Sequence, residues 1–376
     1  MTININELTA FAETFSKSFA ANLVAEQEKH NLAQRNAAVS YVPTKNKPTK
    51  TIVNAIELFK NIDRKPSAEL QLMVNTWKIK PVGIPAIIED YYFRADLVQD
   101  ITNFLLSSVD YGFWMIGLHG TGKTSIAEQV AARFGISCFS ETCSERTEFL
   151  DLFGYSVPCS GGNMKYIKGG LYSALEQGGI CILNEVDAMS PSELIKLNEL
   201  LSGKPVFIPQ TESWLYPSKD FRLMITSNTN GCGDDSRYIG TNQLNAAFKD
   251  RFMKVYVDYL PEDIEVSLLQ SVFEQKVNKN NPKFTSIHKK QYLALIKMMV
   301  KVANGLRKAA NTMGGDMTPP SIRALKRWLQ LILDGSHTAG MNGTQAAFLK
   351  AYGYDLSESE RIAAIEVCKE HFGTDF

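Results

Sequence analysis

A glycine-rich stretch, GLHGTGKT at residues 117–124, constrains the fold of this chain more than any other feature of its sequence. The apolar run FWMI precedes it, and the helical pattern SIAEQVAARF follows it. Gly117, Gly120 and Gly122 let the backbone wrap a triphosphate with its N–H groups turned inward, and the helix N-terminus adds a favourable dipole. The spacing G-x-x-x-x-G-K-[ST] between a strand and a helix therefore predicts a nucleotide-binding loop in an α/β domain, rather than a glycine-rich turn without a ligand.

The residues of this loop are expected to share the contacts with ATP and Mg²⁺. Lys123 is predicted to reach the β- and γ-phosphates, and the Thr124 hydroxyl is predicted to hold the Mg²⁺ ion. The remaining predicted contacts to the nucleotide come from the rest of the loop and the first helical turn: Gly117, His119, Gly120, Thr121, Gly122 and Ser125.

A second stretch, GICILNEVDAM at residues 179–189, has the form of a strand that ends by presenting acids to a bound nucleotide. Glu185 is placed to polarise a water molecule for attack on the γ-phosphate. The preceding position, which would complete the Mg²⁺ site with Thr124, normally carries an acid, but Asn184 offers an acceptor oxygen without a charge. Losing such a group costs roughly 10- to 100-fold in metal affinity or activity, so we predict retained nucleotide binding and slowed hydrolysis. Asp187 either compensates in part or is an ordinary surface acid.

Three further polar residues fit a site assembled from two subunits. Asn228 ends the apolar run FRLMITSN, where it would orient the attacking water or simply begin a loop. Arg251 either pairs with Asp250 on the surface or reaches the γ-phosphate of a neighbouring subunit, a contact worth roughly 10³–10⁵ in rate. Arg323 stands at the start of a later helix and could touch the same phosphate from above.

The order of apolar and helical segments in the central region predicts its architecture. Short apolar runs separated by helix-length segments indicate a mostly parallel sheet covered by helices on both faces. The runs are FWMIG (113–117), ISCFS (136–140), GICIL (179–183) and FRLMITSN (221–228). After Pro261 the pattern is helical, and a capping box at Ser357 and Glu360 precedes RIAAIEVCKEHF. We predict an α/β core over residues 81–262 and a helical lid over residues 263–376.

The first 80 residues are predicted to form a helical extension. Apolar residues at steps of three and four make one stripe, which would pack on its own domain or dock on a partner: Leu8, Phe11, Phe15, Phe19 and Leu23. Prolines and lysines indicate a linker near residues 41–50, and a second helical piece is expected at Ile52–Phe59.

The composition disfavours several classes of protein. Basic and acidic residues balance at 40 each, so no net field steers the chain towards nucleic acid or acidic membranes. No apolar run reaches the roughly 18 residues of a membrane helix, and Glu7 and Glu13 interrupt the N-terminus where a signal peptide is apolar. Six cysteines and five histidines show neither C-x-x-C nor H-E-x-x-H spacing. We predict a cytoplasmic protein with reduced thiols, without membrane contact and without a structural metal site.

Together, the segments GLHGTGKT, ILNEVD, TSN, DRF and SIR resemble the motif set of AAA+ ATPases of the MoxR branch. They are most similar to those of CobS-like proteins, the small ATPase subunits of aerobic cobaltochelatase. The long, glycine-broken loop within residues 221–263 and the C-terminal FLKAYGYDLSESERIAAIEVCKEHFG resemble the same family. The resemblance covers roughly residues 85–376 and leaves residues 1–80 unmatched. It implies an AAA+ P-loop NTPase core with a helical lid.

The resemblance also implies how the site would work. The family forms rings, commonly hexamers, with ATP at the subunit interfaces. One subunit would supply the residues that bind and hydrolyse ATP, namely Lys123, Thr124, Glu185 and Asn228. Arg251 would come from the neighbouring subunit, and Arg323 would act as a second sensor of the nucleotide. Residues 152–171 correspond to an insertion in the second core helix that faces the pore of the ring, unless they form an ordinary surface loop.

Three functions remain open from the sequence. The first is a motor ATPase that remodels a protein partner; the family works with a partner bearing a von Willebrand A domain, and in cobaltochelatase the ring drives Co²⁺ insertion into a corrin held by a large subunit. The second is a nucleic-acid NTPase, suggested by the lysine-rich TKNKPTK and KVNKNNPKFTSIHKK, but no aromatic residues interleave with these runs. The third is a nucleotide-gated scaffold with little hydrolysis, suggested by Asn184.

Overall fold

The computed structural model describes residues 47–107, 112–159, 162–233, 240–277, 286–312, 317–335, 341–374 and 376. The chain forms two compact units, and the boundary between them falls between Asp258 and Tyr259. The predicted stripe from Leu8 to Leu23 and most of the predicted linker lie outside the described residues. The predicted domain limits near residues 81 and 262 stay predictions.

The segment before the central sheet contains two strands and one helical turn: β1 (Thr49–Asn54), α1 (Ala55–Leu58) and β2 (Gln71–Thr76). β1 and β2 pair in antiparallel fashion, with Ile52 opposite Met73. The prediction of a helix over Ile52–Phe59 is therefore wrong except for α1, where the Asn54 side chain accepts a hydrogen bond from the Ile56 N–H. The sequence of β1, TKTIVN, is rich in β-branched residues, whose restricted χ1 angles favour an extended chain over a helix.

The central region alternates helices and strands. Its elements in chain order are α2 (Ala95–Leu106), β3 (Gly112–Ile116), α3 (Lys123–Phe134), β4 (Cys138–Thr142), β5 (Gly154–Pro158), β6 (Met164–Lys168), α4 (Gly170–Gln177), β7 (Gly179–Asn184), α5 (Pro191–Leu194), α6 (Leu197–Leu201), β8 (Val206–Ile208), β9 (Ser213–Leu215), β10 (Phe221–Ser227), α7 (Ala246–Lys249) and β11 (Phe252–Tyr256). Short 3₁₀ helices cover Phe149–Phe153, Val186–Ala188 and Pro209–Thr211.

Five of these strands form one sheet in the order β11–β3–β10–β7–β4, and every neighbouring pair is parallel. The predicted α/β core is therefore confirmed. Alternate residues of β7 serve two hydrophobic cores, because successive side chains of a strand point to opposite faces. Ile180 and Ile182 pack in a core with α2 and α3, whereas Cys181 and Leu183 pack in a core with α4, α6 and α7.

Two antiparallel hairpins interrupt this alternation. β5 and β6 pair from Gly154 opposite Lys168 to Pro158 opposite Met164, within the predicted insertion at residues 152–171. β8 and β9 pair over three residues, and the exposed rings of Phe207 and Trp214 lie 5.4 Å apart. The insertion is thus a hairpin, and its position facing the pore of a ring stays a prediction.

The described residues after Tyr259 form only helical elements, as predicted for the lid. They are α8 (Glu262–Lys276), α9 (Ser286–Thr312), α10 (Ile322–Leu333), α11 (Gly343–Ala351), a 3₁₀ turn at Gly353–Asp355 and α12 (Glu358–Phe372). Both halves of the predicted capping box are present at α12, between Ser357 and Glu360. At α10, the Ser321 side chain accepts a hydrogen bond from the Ala324 N–H.

A buried ion pair joins three parts of this helical unit. Arg307 of α9 donates two hydrogen bonds, of 2.7 and 2.8 Å, to the Glu265 carboxylate of α8, which is fully buried. The Arg307 Nε also donates to the carbonyl of Pro320, just before α10, at 3.0 Å. The guanidinium stacks over the Tyr259 ring, 3.9 Å from its centroid. One side chain therefore ties α8, α9 and the start of α10 to the residue at which the unit begins.

We expect Arg307→Ala to lower the free energy of unfolding of the second unit by about 3–5 kcal/mol, because the Glu265 carboxylate would remain buried without its partner. Differential scanning calorimetry of the full chain measures the loss. Lys369→Ala removes the exposed partner of Glu366 and should cost below about 1 kcal/mol. Equal losses in the two variants would contradict the assignment of the cost to burial.

Candidate nucleotide-binding site

The glycines of the loop at 117–124 adopt conformations that other residues rarely tolerate. Gly117, Gly120 and Gly122 have φ angles of 158°, 73° and 90°. A Cβ atom added at Gly117 would lie 2.1 Å from the carbonyl oxygen of Val257, so a side chain there would clash with the backbone that follows β11. The Gly117 N–H donates to the carbonyl of Ser227 at 3.3 Å. The first glycine is therefore held between the ends of β10 and β11.

The end of the loop is the N-terminus of α3, and Gly122 caps this helix without a side chain. N–H groups in the first turn of a helix have no partner within the helix, and an anion satisfies them well. Thr121 closes the loop by donating from its hydroxyl to the Leu118 carbonyl at 2.9 Å. His119 and Ser125 are half-buried beside it, and their contacts with the nucleotide stay predictions.

Lys123 places its ammonium group at the centre of the loop. The side chain is only 8% exposed, and it donates to the carbonyls of Gly117 and Leu118 at 2.6 and 2.9 Å. A third hydrogen bond of 3.1 Å reaches the side-chain oxygen of Asn228, which follows β10. The structure thus brings together two predicted site residues that are 105 positions apart. Phosphate oxygens could replace these neutral acceptors, since they would bind the ammonium as a charged pair.

Asn184 connects four elements at the carboxyl edge of the sheet. Its Oδ1 accepts hydrogen bonds from the hydroxyls of Thr124 at 2.5 Å and Thr226 at 3.1 Å. Its Nδ2 donates to the Ser140 hydroxyl at 2.7 Å and to the Glu141 carbonyl at 3.4 Å. The amide therefore uses its oxygen towards α3 and β10 and its nitrogen towards β4. A carboxylate could accept the hydroxyl bonds but has no hydrogen to donate to the Glu141 carbonyl, so two acceptors would face each other.

The predicted Mg²⁺ ligands lie together, so the site fits the ion in its chemistry. Thr124 Oγ1 and Asn184 Oδ1 are hard oxygen atoms of the kind that Mg²⁺ accepts in proteins. Both are neutral, and the nearest acid along the strand is Glu185. The residues present therefore suit a Mg²⁺ ion whose charge is balanced chiefly by nucleotide phosphates.

Glu185 has an unusual backbone conformation and an exposed side chain. Its φ and ψ angles of 54° and 41° lie in the left-handed region, where only one other described non-glycine residue, Glu212, is found. Such a conformation costs roughly 1–3 kcal/mol and persists where the surrounding structure enforces it, often at functional sites. It ends β7 and turns the chain into the short helix Val186–Ala188.

Asp187 is not the surface acid that one interpretation of the sequence suggested. Its side chain is 1% exposed, and its Oδ2 accepts hydrogen bonds from the Thr229 N–H at 3.1 Å and the Thr229 hydroxyl at 2.7 Å. Ser140, Thr226 and Thr229 are also polar residues of the site that the motifs did not reveal. For Thr226 a signal existed, because residues two apart on a strand share a face and Thr226 precedes Asn228 by two.

The two predicted arginines lie in different units. Arg251 directly precedes β11, and its Nη1 donates to the Ala247 carbonyl at 2.7 Å. Among the described residues no ion pair joins Arg251 to Asp250, so the surface-pair alternative gains no support. Arg323 is exposed in the first turn of α10. Its role as a sensor stays a prediction.

Cys143 borders the site but does not supply a reactive thiol. Its N–H donates to the Asn184 carbonyl at 2.9 Å. Burial, together with the nearby carboxylates of Glu141, Glu185 and Asp187, raises the pKa of the Cys143 thiol to about 12. The thiol is therefore protonated at neutral pH, and the described residues hold no group of side chains arranged to bind a metal ion through cysteine or histidine.

A family model and several known proteins are similar to this chain. Residues 112–252 match the family described as AAA domain (dynein-related subfamily). Aerobic cobaltochelatase subunit CobS from Sinorhizobium sp is 30% identical over 301 residues, which are 78% of this chain and 84% of CobS. Midasin from Dictyostelium discoideum is 30% identical over 183 residues, which are 48% of this chain but only 3% of midasin. The structure of NtrX from Brucella abortus, 16% identical, covers 74% of this chain and is itself covered to 60%, with a TM-score of 0.45.

No helix among the described residues combines the length and apolar character that crossing a membrane requires.

We expect Asn184→Asp to raise the affinity for Mg²⁺ in the presence of ATP by roughly 10- to 100-fold, because the new carboxylate adds the missing charge beside Thr124. Titration of ATP turnover with Mg²⁺ measures the change. Ser140→Ala removes one partner of the amide and leaves its oxygen in place, so it should shift the titration little. An unchanged Mg²⁺ requirement in Asn184→Asp would mean that the neutral side chain is not the limiting defect.

Proposed function

Because the chain belongs to the AAA+ ATPase family, in the MoxR branch with the CobS-like proteins, we propose that it hydrolyses ATP in a ring to remodel a protein partner. The observation that carries the ATP site is Lys123, buried at the centre of the glycine loop with its ammonium bound to Gly117, Leu118 and Asn228. A buried ammonium group at the N-terminus of a helix suits a polyphosphate, which adds the opposite charge and satisfies the helix N–H groups.

The residues of the sheet edge divide the work of hydrolysis. Lys123 and the loop N–H groups would bind the phosphates, while the Thr124 hydroxyl and the Asn184 oxygen would hold a Mg²⁺ ion. The ion, when bound, would offset the negative charge of the phosphates. Glu185, exposed at the end of β7, accepts a proton from the attacking water, and Asn228 orients that water. Asn184 slows the reaction because it lacks the usual charge.

The site is completed by a second copy of the chain in this proposal. The Arg251 guanidinium donates to one backbone carbonyl, and no described carboxylate pairs with it, so it is suited to bind the γ-phosphate of a neighbouring subunit. Arg323 would sense the same nucleotide from the helical unit. The assembly that this arrangement requires is a closed homo-oligomer, and a hexamer is the form we propose.

The client of the ring is proposed from similarity to CobS, since this chain covers 84% of that protein. We propose a chelatase-like complex in which the ATPase ring acts on a partner bearing a von Willebrand A domain, with the metal and the tetrapyrrole bound elsewhere. The hairpin of β5 and β6 would face the pore. A cytoplasmic location, where ATP is available, belongs to the same proposal.

A second function, a nucleotide-gated scaffold, is favoured by one observation. All four hydrogen bonds of the Asn184 amide are already satisfied within the protein, and none involves a charged group. A site built this way would bind ATP and assemble while hydrolysing it very slowly. The turnover of the unmodified protein, compared with that of Asn184→Asp, separates the two functions.

We expect Lys123→Ala to abolish ATP binding, because the loop loses its only buried ammonium, whereas Glu185→Gln should bind ATP normally and release no phosphate. Isothermal titration calorimetry with ATP and Mg²⁺, and a phosphate-release assay, measure the two effects. Lys204→Ala removes an exposed lysine that pairs with Glu199 and should change neither. ATP binding retained in Lys123→Ala would refute the proposed site.

We expect Arg251→Ala to keep ATP affinity and to lose roughly 10³–10⁵ in turnover, because the arginine acts on the neighbouring site. Mixing Arg251→Ala with Glu185→Gln should restore activity, since about a quarter of the interfaces in a random ring join an intact Glu185 to an intact Arg251. Normal hydrolysis by Arg251→Ala alone, or no recovery on mixing, would contradict action between subunits.

A further inference from the structure

The buried carboxylate of Asp187 links the ends of two strands that carry proposed catalytic residues. Asp187 lies two residues after Glu185, beyond the left-handed turn that ends β7. Its Oδ2 accepts both the backbone N–H and the hydroxyl of Thr229, the residue directly after Asn228. A displacement of the Asn228 backbone relative to Glu185 would therefore strain these two hydrogen bonds.

The backbone carbonyls of residues 187–189 also bind Asn242, which lies in the segment that leads to Arg251. The Asn242 N–H donates to the Asp187 carbonyl at 2.7 Å, and the Asn242 side chain donates to the carbonyls of Ala188 and Met189 at 3.2 and 3.3 Å. Three residues later, Asn245 caps α7, and this single helical turn ends just before Arg251. The backbone of residues 187–189 thus fixes the position of the segment before α7, which precedes Arg251.

Two described residues of the segment between Thr229 and α7, Gly231 and Leu244, are also linked to Thr229. The Gly231 N–H donates to the Thr229 hydroxyl at 3.3 Å, and the Leu244 N–H donates to the Gly231 carbonyl at 2.9 Å. Thr229 is 6% exposed and Leu244 is 3% exposed, so water does not compete strongly for these bonds. A continuous chain of buried hydrogen bonds runs from Asp187 through Thr229 to the segment before α7.

Asp187 is almost fully buried and lacks a charged partner, which suggests a role beyond folding. None of the described ion pairs includes Asp187, and the donors to its carboxylate are the N–H and hydroxyl groups of Thr229. Burying a carboxylate without a cation carries a large desolvation penalty, and a neutral side chain would support the fold at lower cost. Hydrogen bonds to an ionised acceptor are about twice as strong as neutral ones, so this tie keeps its geometry when the nearby site changes.

We infer that Asp187 is a positioning residue that couples Glu185 and Asn228 of one site to Arg251, which serves the site of the neighbouring subunit. This inference rests on the proposed function. It adds a route by which the nucleotide bound to one subunit controls the position of the Arg251 side chain that this subunit presents to the neighbouring site. A displacement of Asn228 by the γ-phosphate reaches Asp187 through Thr229. It then reaches Arg251 through Asn242 and α7.

The decisive experiment measures how Asp187 affects the action of Arg251 on the neighbouring site, separately from its effect on its own site. Arg251→Ala subunits are mixed with Glu185→Gln subunits, or with subunits that carry both Glu185→Gln and Asp187→Ala. Every working site in either mixture uses Glu185, Asn228 and Asp187 of the Arg251→Ala subunit, so the added substitution can act only through the donated arginine. We expect recovered ATP turnover to be lower by about tenfold with the double variant, a coupling within the usual range. Equal recovery in the two mixtures would overturn the inference.

A second measurement tests the coupling between Asp187 and Asn228 within one subunit. Asp187→Ala should leave ATP affinity within about threefold of the unmodified protein and lower kcat by roughly 10- to 100-fold, as for other supporting residues. In an Asn228→Ala background the same change should cost at least about threefold less in kcat. Asp187→Asn should recover part of the rate, because both bonds use one oxygen atom and the amide keeps it, but a neutral oxygen makes weaker bonds than a carboxylate. Equal losses in both backgrounds would overturn the inference.

Controls separate coupling from loss of stability and from failure of the proposed function. Arg222→Ala removes a side chain that binds the Phe104 and Ser107 carbonyls at the opposite end of β10, so it should lower Tm without lowering kcat per bound ATP. If Asp187→Ala does not fold, Thr229→Val removes the bonds of the Thr229 hydroxyl to Asp187 and to the Gly231 N–H but keeps the bond from the Thr229 N–H to Asp187. It is expected to give the same pattern. Lys123→Ala tests the ATP site itself, and Arg251→Ala tests the action of Arg251 on the neighbouring subunit. If the proposed function is wrong, these two variants will not give their expected results, whatever the Asp187 variants do.

Discussion

The four hydrogen bonds of the Asn184 amide are the interaction on which the rest of the site depends. They join β4, β7, β10 and the first turn of α3, which are separate in sequence and meet only at the carboxyl edge of the parallel sheet. Because the amide has both a donor and an acceptor side, it satisfies a hydroxyl on one side and a carbonyl on the other. The glycine loop and the ends of β7 and β10 are thereby held in one arrangement by a neutral group. A carboxylate would add charge for the metal but would weaken the contact with β4.

Much of the fold could be predicted because its signals are local. The glycine spacing around Lys123, the apolar runs of the sheet and the capping box at Ser357 are each visible within a short stretch of sequence, and the structure contains all three. The error at Ile52–Phe59 has a physical cause. Apolar spacing suggested a helix, but β-branched residues in TKTIVN and pairing with Gln71–Thr76 favoured a strand, and pairing with a distant segment cannot be read from one stretch.

The less predictable part of the site depends on which strands are neighbours. Ser140 and Thr226 bond to Asn184 only because β4 and β10 flank β7, and strand order is a property of the whole sheet. Asp187 was ambiguous for the same reason, since its burial results from the loop after β10 and not from the residues beside it. The sequence motifs predicted which residues contact the nucleotide, and that assignment stays a prediction, while the hydrogen-bond partners of these residues required the three-dimensional structure. The proposed contact of Arg251 with a second subunit depends on assembly, which a single chain does not contain.

Gly117 has a further consequence for the backbone at the end of the α/β unit. The space for its missing side chain is filled by the carbonyl of Val257, and the Val257 N–H donates to the Ile116 carbonyl at 2.7 Å. Val257 stands one residue before Asp258, the last residue of the α/β unit, so the backbone that packs against the glycine loop lies just before the boundary between the two units. Main-chain atoms make this close approach, so it depends on the absence of a side chain at position 117 and not on the identity of residue 257.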